Sequence, residues 1–275
     1  MTKSIEVDQI QEKITQIKDS AVDWFTNFYM SDEELEKNLQ LKKISWTSSE
    51  QTIVLIHQRK GLKNIYFFTS NLEDLVDMLK QITTDISEPM TINFPMNVRD
   101  DSKLKQVSEK IVDAGFNHYA TQKRLTKINP NGDNKLQEID DSWFAREDDC
   151  AEIEEILYEN LDYLADLFPD DEEILDMIRS REIIVARDEK SGKIASINGF
   201  YVKRNLIEGI FWITREEFRG PGLGLKTFFI YQKRISNVRK SIGYVREDRL
   251  QTFNEKFGYQ LDGFQNHVFL FKGGL

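Results

Sequence analysis

A glycine-rich segment at residues 219–224, Arg-Gly-Pro-Gly-Leu-Gly, is the part of the chain best suited to chemistry by residue type and spacing. An apolar, strand-like stretch ending at Thr214 precedes it, and a helix-compatible stretch follows. Glycines let the backbone approach an anion closely, and the N–H groups and dipole of a helix start attract negative charge. The segment therefore predicts a phosphate-binding loop, and Arg215, Arg219 and Lys226 add positive charge around it.

Two widespread phosphate-binding patterns match this segment incompletely. The P-loop pattern can start at Gly220 and end in Lys226-Thr227, but Leu225 stands where its second glycine belongs. No apolar strand ending in aspartate follows to hold magnesium. The dinucleotide pattern fails at Thr227 and lies too late in the chain to begin a doubly wound sheet. We therefore reject both.

A third pattern, R-x-x-G-x-G after a strand, is matched in full by Arg219, Gly222 and Gly224. A closing Asn-Glu-Lys-Phe-Gly-Tyr follows at residues 254–259. In these features the sequence resembles the GNAT superfamily of acetyl-CoA-dependent acyltransferases, over about residues 143–271. The resemblance implies an α/β fold with a mixed (α+β) sheet, and acetyl-CoA as a cosubstrate with no metal.

The resemblance also implies which residues hold acetyl-CoA. The pyrophosphate would lie on N–H groups of the glycine loop, and the pantetheine arm would pair like a strand with residues 212–214. Lys256 could reach the adenosine phosphate. For Lys256 and for Arg215, however, ordinary solvent exposure is an equally good interpretation. The implied residues are Trp212, Ile213, Thr214, Arg219, Gly220, Gly222, Leu223, Gly224 and Lys256.

Acyl transfer from a thioester needs a neutral nucleophile, a stabilised oxyanion and an acid for the leaving thiol. With Cys150 as the single cysteine, direct transfer is expected, with an oxyanion donor near Ile213. Many GNAT sequences carry a tyrosine acid where this chain has Asn254, whose amide can only donate a hydrogen bond. Tyr244 is a substitute acid or, alternatively, a cross-strand aromatic residue.

Glu208 is the candidate base. Strand periodicity predicts that it shares a face with Ile210, Trp212 and Thr214 and so lines the acyl channel. The alternative is a glutamate facing solvent at a strand end.

The acceptor is expected on the predicted helix–turn–helix at residues 150–180, between the two halves, or at both places. One predicted helix there aligns acidic and aromatic side chains, which favours a cationic amine. Plain packing of the tyrosines and solvation of the aspartates is the alternative. The residues concerned are Tyr158, Asp162, Tyr163 and Asp166.

The elements that position these residues form two similar halves. A polar segment at residues 129–141 is predicted to be a linker, which gives domains 1–135 and 136–275. Helix–Gly–aromatic sequences around Gly115 and Gly258 indicate a divergent duplication. The first half has no glycines at residues 91–101, where its counterpart of the loop is expected. We therefore predict a tandem GNAT-like fold whose degenerate N-terminal domain lacks a CoA loop.

Hydrophobic periodicity predicts the remaining architecture. Helices are expected at residues 5–29, 71–82, 101–114, 148–167, 170–180, 223–240 and 249–257, with a short helix after Ser31. Strands are expected at residues 52–57, 64–69, 91–94, 118–128, 143–145, 183–187, 194–202, 208–214, 241–245 and 267–271.

Composition limits the possible functions. The 275 residues carry a net charge of -10, which argues against a general nucleic-acid binder. No long apolar run or export signal is evident, and the three histidines lack metal-ligand spacing, so a cytoplasmic protein without membrane or metal is expected. Residues 141–176 hold 15 acidic residues and one basic residue.

The expected function is acetyl-CoA-dependent N-acetylation of a primary amine on a small molecule or peptide. The alternative is a catalytically inactive CoA-binding sensor or interaction protein on the same fold. An aminoacyl- or peptidyl-transferring enzyme is a further rival, against which the complete glycine loop argues.

Overall fold

The computed structural model describes residues 5–84, 87–129, 139–166, 168–220, 222–236, 238–246 and 257–273. The chain divides into two compact units. The first unit comprises Met1–Gln122 together with Gly263–Leu275, and the second comprises Lys123–Asp262. Strands carry the chain from the first unit to the second and back, so the first unit consists of two stretches of sequence and the second of one.

Among its described residues, the first unit contains four helices around its strands. Its helices are α1 (Ile5–Ser20), α2 (Asp32–Gln40), α3 (Leu72–Thr83) and α4 (Asp101–Asp113). Its strands are β1 (Phe25–Thr26), β2 (Ile44–Ser48), β3 (Thr52–Arg59), β4 (Leu62–Thr69), β5 (Met90–Asn97) and the start of β6 (Asn117–Ile128). Strands β2, β3 and β4 are antiparallel, whereas β4 and β5 are parallel. One apolar cluster packs α1 and α2 on one sheet face, and another packs α3 and α4 on the opposite face.

The second unit repeats this plan. Its helices are α5 (Cys150–Asn160), α6 (Asp171–Arg179) and α7 (Leu223–Ile235). Its strands are β7 (Ile183–Arg187), β8 (Ile194–Lys203), β9 (Leu206–Thr214) and β10 (Lys240–Arg246), together with the end of β6 and the start of β11 (Gln260–Phe271). Strands β7, β8 and β9 are antiparallel, and β10 runs parallel to β9. Helices α5 and α6 cover one face, and α7 covers the other.

Both units thus show two helices, three antiparallel strands, a crossover helix and a parallel strand in the same order, in line with the predicted duplication. The last strand of each repeat is exchanged. Strand β11 pairs antiparallel with β5 of the first unit, while β6 neighbours β10 of the second. The compact units differ from the predicted domains 1–135 and 136–275, because β6 and β11 each run from one unit into the other. The predicted linker lies largely outside the described residues.

Several predicted elements are wrong in their extent. The helix predicted at residues 223–240 ends at Ile235, and the strand predicted at residues 267–271 begins at Gln260. The helix predicted at residues 5–29 ends at Ser20, because Phe25–Thr26 pairs with β4 instead. The helix predicted at residues 148–167 ends at Asn160. The strand predicted at residues 143–145 is only a bridge between Phe144 and Ile184. The helix predicted at residues 249–257 falls almost wholly outside the described residues.

In the part of the chain that the structure describes, no helix is both long and apolar enough to cross a membrane. Within the same residues, no three His, Cys, Asp or Glu side chains are grouped in a way that could hold a metal ion.

Candidate functional site

The parallel strands β9 and β10 separate part of the way along their length. They pair from Leu206–Lys240 to Gly209–Gly243. Beyond Gly209, the described residues of β9 have no strand pairing with β10, although both strands continue. The second unit therefore has a wedge-shaped opening between two strands of its sheet, with one edge of β9 along its side.

A β-bulge lies at the narrow end of this opening. Gly199 is opposite Phe211 and Phe200 is opposite Gly209, so Ile210 is an extra residue on β9. An extra residue exchanges the faces of all side chains beyond it. Glu208 consequently shares its face with Phe211 and Ile213. The predicted common face for Glu208, Trp212 and Thr214 is wrong, since periodicity alone cannot locate a bulge.

The bulge also decides which backbone groups of β9 face the opening. The Arg215 N–H donates to the Ala195 carbonyl on β8 at 3.0 Å. Hydrogen bonding alternates along an antiparallel ladder, so the Ile213 N–H also points to β8, whereas those of Trp212 and Thr214 point to the opening. The predicted oxyanion donor near Ile213 is therefore not the amide of Ile213 itself, and its two neighbours present their N–H groups instead.

The glycine loop leads from β9 to the start of α7. Gly220 and Gly222 have φ angles of +111° and +81°, in the region where glycine is favoured. A Cβ atom at either position would meet nothing within 4 Å. Gly222 is the N-cap of α7 and offers no capping side chain. The first N–H groups of the helix, those of Leu223 and Gly224, have no acceptor among the described residues, so this helix start can bind an anion.

Gly224 serves a different purpose from the other two glycines. A Cβ atom there would lie 2.4 Å from Thr214 Oγ1, so only glycine lets α7 approach β9 this closely. The Gly224 carbonyl accepts hydrogen bonds from Trp212 Nε1 at 3.1 Å and Thr227 Oγ1 at 2.9 Å. Trp212 also packs against Phe228, with ring centroids 5.0 Å apart. The helix start is thus held against the open end of β9.

The basic residues around the loop are not equivalent. Arg215 is buried and bonded to Glu152 at 3.3 Å and Glu155 at 2.9 Å, so the prediction that it flanks a bound anion is wrong. Arg219 and Lys226 are exposed, and neither has an ion-pair partner among the described residues. Lys256 lies outside the described residues. Arg219 and Lys226 are therefore the loop cations available to a ligand.

Glu208 and Tyr244 lie near each other on one face of the opening. Glu208 is largely buried, and its Oε2 is 2.9 Å from Lys203 Nζ, which compensates its charge. Tyr244 is half-buried and follows the last paired residue of β10. Burial raises the pKa of the Tyr244 hydroxyl, the nearby Glu208 charge raises it further, and the Arg124 guanidinium opposes both. Asn254 lies outside the described residues.

The predicted acidic and aromatic helix face is interrupted. Tyr158 lies on α5, but that helix ends at Asn160, and Asp162 and Asp166 lie in the turn that follows. Asp162 pairs with Arg246 of β10, with the Asp162 Oδ2 and Arg246 Nη1 atoms 3.0 Å apart. These residues therefore do not form the single helix face that was expected.

Cys150, at the start of α5, is half-buried, and burial raises the pKa of its thiol. A thiol that stays protonated is a poor nucleophile.

Two further residues, Arg124 and Asp262, were not predicted as part of the site. They are bonded to each other on β6 and β11 and lie beside Tyr244. Both are ordinary charged residues in alternating strands. Without knowledge of which strands are neighbours, no local signal identifies them.

The first unit has a corresponding separation of parallel strands, which its own chain fills. Strands β4 and β5 pair only over Lys63–Ile65 and Met90–Ile92. Asn27 is 2% exposed and donates from Nδ2 to the carbonyls of Ile65 at 2.9 Å and Asn93 at 3.0 Å. Its Oδ1 accepts from the Phe67 N–H at 2.7 Å. Asn27 therefore ties the two separated strands together.

The helix that follows β4 in the first unit is α3, so the counterpart of the glycine loop is the short connection at Ser70 and Asn71. The expectation that it lies at residues 91–101 is wrong. Asn71 caps α3, and its side chain accepts from the N–H groups of Glu73 and Asp74. These two acidic residues also occupy the first turn. This helix start is satisfied by its own side chains and repels an anion.

Similarity to solved structures shows the fold of the chain. No family model matches the chain, and no curated protein matches it. Among solved structures, a tandem GNAT protein from the clavulanic acid biosynthesis pathway superimposes with a TM-score of 0.62 at 8% identity, over 100% of this chain and 98% of that one. A GCN5-related N-acetyltransferase from Sphaerobacter thermophilus gives 0.55 at 13% identity, over 95% and 91%. One from Kribbella flavida gives 0.55 at 12% identity, over 86% and 93%. The chain therefore has the tandem GNAT fold, an α/β fold in which each half carries a mixed sheet.

Proposed function

We propose that the second unit binds acetyl-CoA and transfers its acetyl group to a primary amine. The observation that carries this proposal is that two sets of backbone N–H donors lie next to each other in the second unit. The edge of β9 presents the Thr214 N–H to the opening, and the uncapped start of α7 presents those of Leu223 and Gly224. Gly224 and Thr214 are in close contact, so the two sets adjoin. A pantetheine arm and a pyrophosphate need such donors in this order.

The residues present fit the cosubstrate. The space beside Gly220 and Gly222 is open, and the exposed Arg219 and Lys226 add positive charge for the phosphates. Backbone N–H groups facing the opening at Trp212 and Thr214 suit a pantetheine amide and a developing oxyanion. Under this proposal Lys256 would hold the adenosine phosphate.

The acyl group would be transferred at the narrow end of the opening, where Glu208 and Tyr244 lie. Glu208 would accept a proton from the amine, directly or through water. Its ion pair with Lys203 would open so that the carboxylate can do so. Asn254 would contribute a hydrogen bond only. The fold is that of acetyltransferases, and a cytoplasmic location is part of the same proposal.

Two measurements test this function. Calorimetry with CoA should give one binding event per chain, and a panel of primary amines should give acetyl-CoA turnover. Absence of a thermal shift at millimolar CoA would contradict binding, since a ligand of the folded state raises its melting temperature.

A second candidate is a CoA-binding sensor without turnover, and Asn254 in place of the usual tyrosine favours it. Binding without turnover on a broad amine panel would support the sensor.

A further inference from the structure

Beside Tyr244 lies a compact group of polar side chains that the sequence did not single out. Arg124 donates to Asp262 Oδ2 from Nε and from Nη2, both at 2.8 Å. Thr126 donates to the same oxygen at 2.6 Å. The Arg124 and Asp262 side chains are only 16% and 21% exposed. Two hydrogen bonds to one largely buried carboxylate therefore orient the Arg124 guanidinium.

Strand β6 lies beside β10 in the sheet, and this neighbourhood brings the Arg124 guanidinium within hydrogen-bonding range of the Tyr244 hydroxyl. Arginine can only donate, so the phenol oxygen is the acceptor in a hydrogen bond between the two. The hydroxyl proton of Tyr244 is then directed elsewhere and remains able to donate. A simple cross-strand aromatic contact would not produce this arrangement.

The position of Tyr244 gives this proton a use. Tyr244 is the first residue of β10 after the final pair, Gly243 opposite Gly209, and so stands at the narrow end of the opening. Ile242 is opposite Glu208, and the alternation of a strand puts Tyr244 on the same face as both. The bulge at Ile210 lies across from it on β9.

We propose that Arg124 is a positioning residue, anchored by Asp262, that directs the Tyr244 hydroxyl so that it protonates the leaving thiolate. This proposal rests on the proposed acetyl transfer. The amine nitrogen forms a bond to the thioester carbonyl carbon, the C–S bond breaks, and its electron pair goes to sulfur. Tyr244 gives its proton to that sulfur and regains one from solvent, while the proton lost by the amine passes to Glu208 or water. The products are an amide and a free thiol.

The charges that face Tyr244 come from three strands: Arg124 on β6, Glu208 on β9 and Asp262 on β11. Burial and the two carboxylates raise the pKa of Tyr244, and Arg124 lowers it. The phenol is therefore protonated at neutral pH, as an acid must be. Activity should fall as pH rises through this pKa, and removing Arg124 should move that fall to higher pH.

The test compares the full-length wild-type chain with Arg124→Gln, Arg124→Lys and the double variant Arg124→Gln/Asp262→Asn. The double variant replaces the ion pair by a neutral pair, which guards against misfolding from a single unpaired charge. Arg179→Gln is the matched control, because its pair with Glu147 lies at the surface of the same unit. One readout is the titration of Tyr244 by NMR on ring-labelled tyrosine, assigned by its loss in Tyr244→Phe. The second readout is kcat and KM as functions of pH.

We expect Tyr244→Phe to lower kcat about 100-fold, at the lower end for loss of a general acid, with CoA affinity unchanged. Arg124→Gln and the double variant should raise the pKa of Tyr244 and lower kcat about 10-fold with little change in KM. In Arg124→Lys, the pKa of Tyr244 should lie between its values in the wild type and in Arg124→Gln. Arg179→Gln should match the wild type. If Arg124→Gln leaves the pKa of Tyr244 unchanged, the proposal is overturned, whether or not turnover is found. Absent CoA binding in the wild type would instead contradict the proposed function.

Discussion

Both units contain an opening between parallel strands, and described residues fill it in the first unit alone. In the first unit Asn27 bonds to Ile65, Phe67 and Asn93, and β1 extends the edge of β4. In the second unit no described residue takes that role between β9 and β10. A separated strand pair leaves backbone groups that need partners. One repeat supplies them from its own chain, and we propose that the other reserves them for a ligand.

The helix starts differ in the same sense. Asn71 caps α3 and two acidic side chains follow it, whereas Gly222 leaves the start of α7 uncapped. Capping stabilises a helix and removes its attraction for an anion at the same time. The capped start of α3 therefore favours stability, and the uncapped start of α7 leaves its N–H groups free to bind an anion.

The largest expected effect is on CoA affinity in Gly222→Val. A valine would be strained at a φ of +81° and would fill the space left for the pyrophosphate. Affinity measured by calorimetry should fall about 100-fold, or roughly 2.7 kcal/mol. Gly192→Val is the matched control, because Gly192 has a φ of +73° and equally open surroundings in the turn between β7 and β8. Equal losses of CoA affinity in both variants would remove the loop from the binding site.

Asn27→Ala should have the next largest effect, on stability alone. It leaves two carbonyls and one N–H of the separated strands without their partner, at a cost of about 2–3 kcal/mol in the free energy of unfolding. Urea denaturation measures this loss, and CoA affinity should be unchanged. Asn38→Ala is the control, since Asn38 is similarly buried but makes one local bond to Glu34. A loss no larger than that of the control would mean that Asn27 does not hold the strands.

Removing the cap of α3 tests whether capping alone separates the two helix starts. Asn71→Ala should destabilise the protein by about 1 kcal/mol, as should Ser31→Ala at the start of α2. Neither variant should gain a CoA site, because Asn27 still fills the opening. A second equivalent of bound CoA in Asn71→Ala would show that the cap, and not the filled opening, excludes the ligand.

The smallest effect is expected for Arg219→Ala. Loss of one exposed cation beside the loop should weaken CoA binding about 3-fold, and added salt should shrink the difference. Arg179→Ala, which removes an exposed arginine paired with Glu147, should leave CoA affinity unaltered. Identical salt dependence in wild type and Arg219→Ala would place the phosphates away from this residue.

Much of the architecture was accessible from the sequence because it depends on local signals. The hairpin at residues 52–69, the strand at residues 183–187 and the crossover after the glycine loop all appear where apolar alternation and turn residues predict them. The duplication was visible in the repeated helix–Gly–aromatic pattern. The pairing partners of β6 and β11 could not be predicted, because the sequence of neither strand indicates which strand lies beside it.

The sequence by itself determined the glycine loop and the strand and helix on either side of it, because glycine conformation and helix capping are properties of a few adjacent residues. Only the tertiary structure decided which side chains share the site. Because of the bulge at Ile210, Glu208 and Trp212 lie on opposite faces of β9. Arg215 is buried and forms ion pairs with Glu152 and Glu155. Strand neighbourhood brought Arg124 to Tyr244 and Asn27 into the first opening. Such contacts join residues up to 138 positions apart, as in the Arg124–Asp262 bond, and packing between distant segments has no local signature.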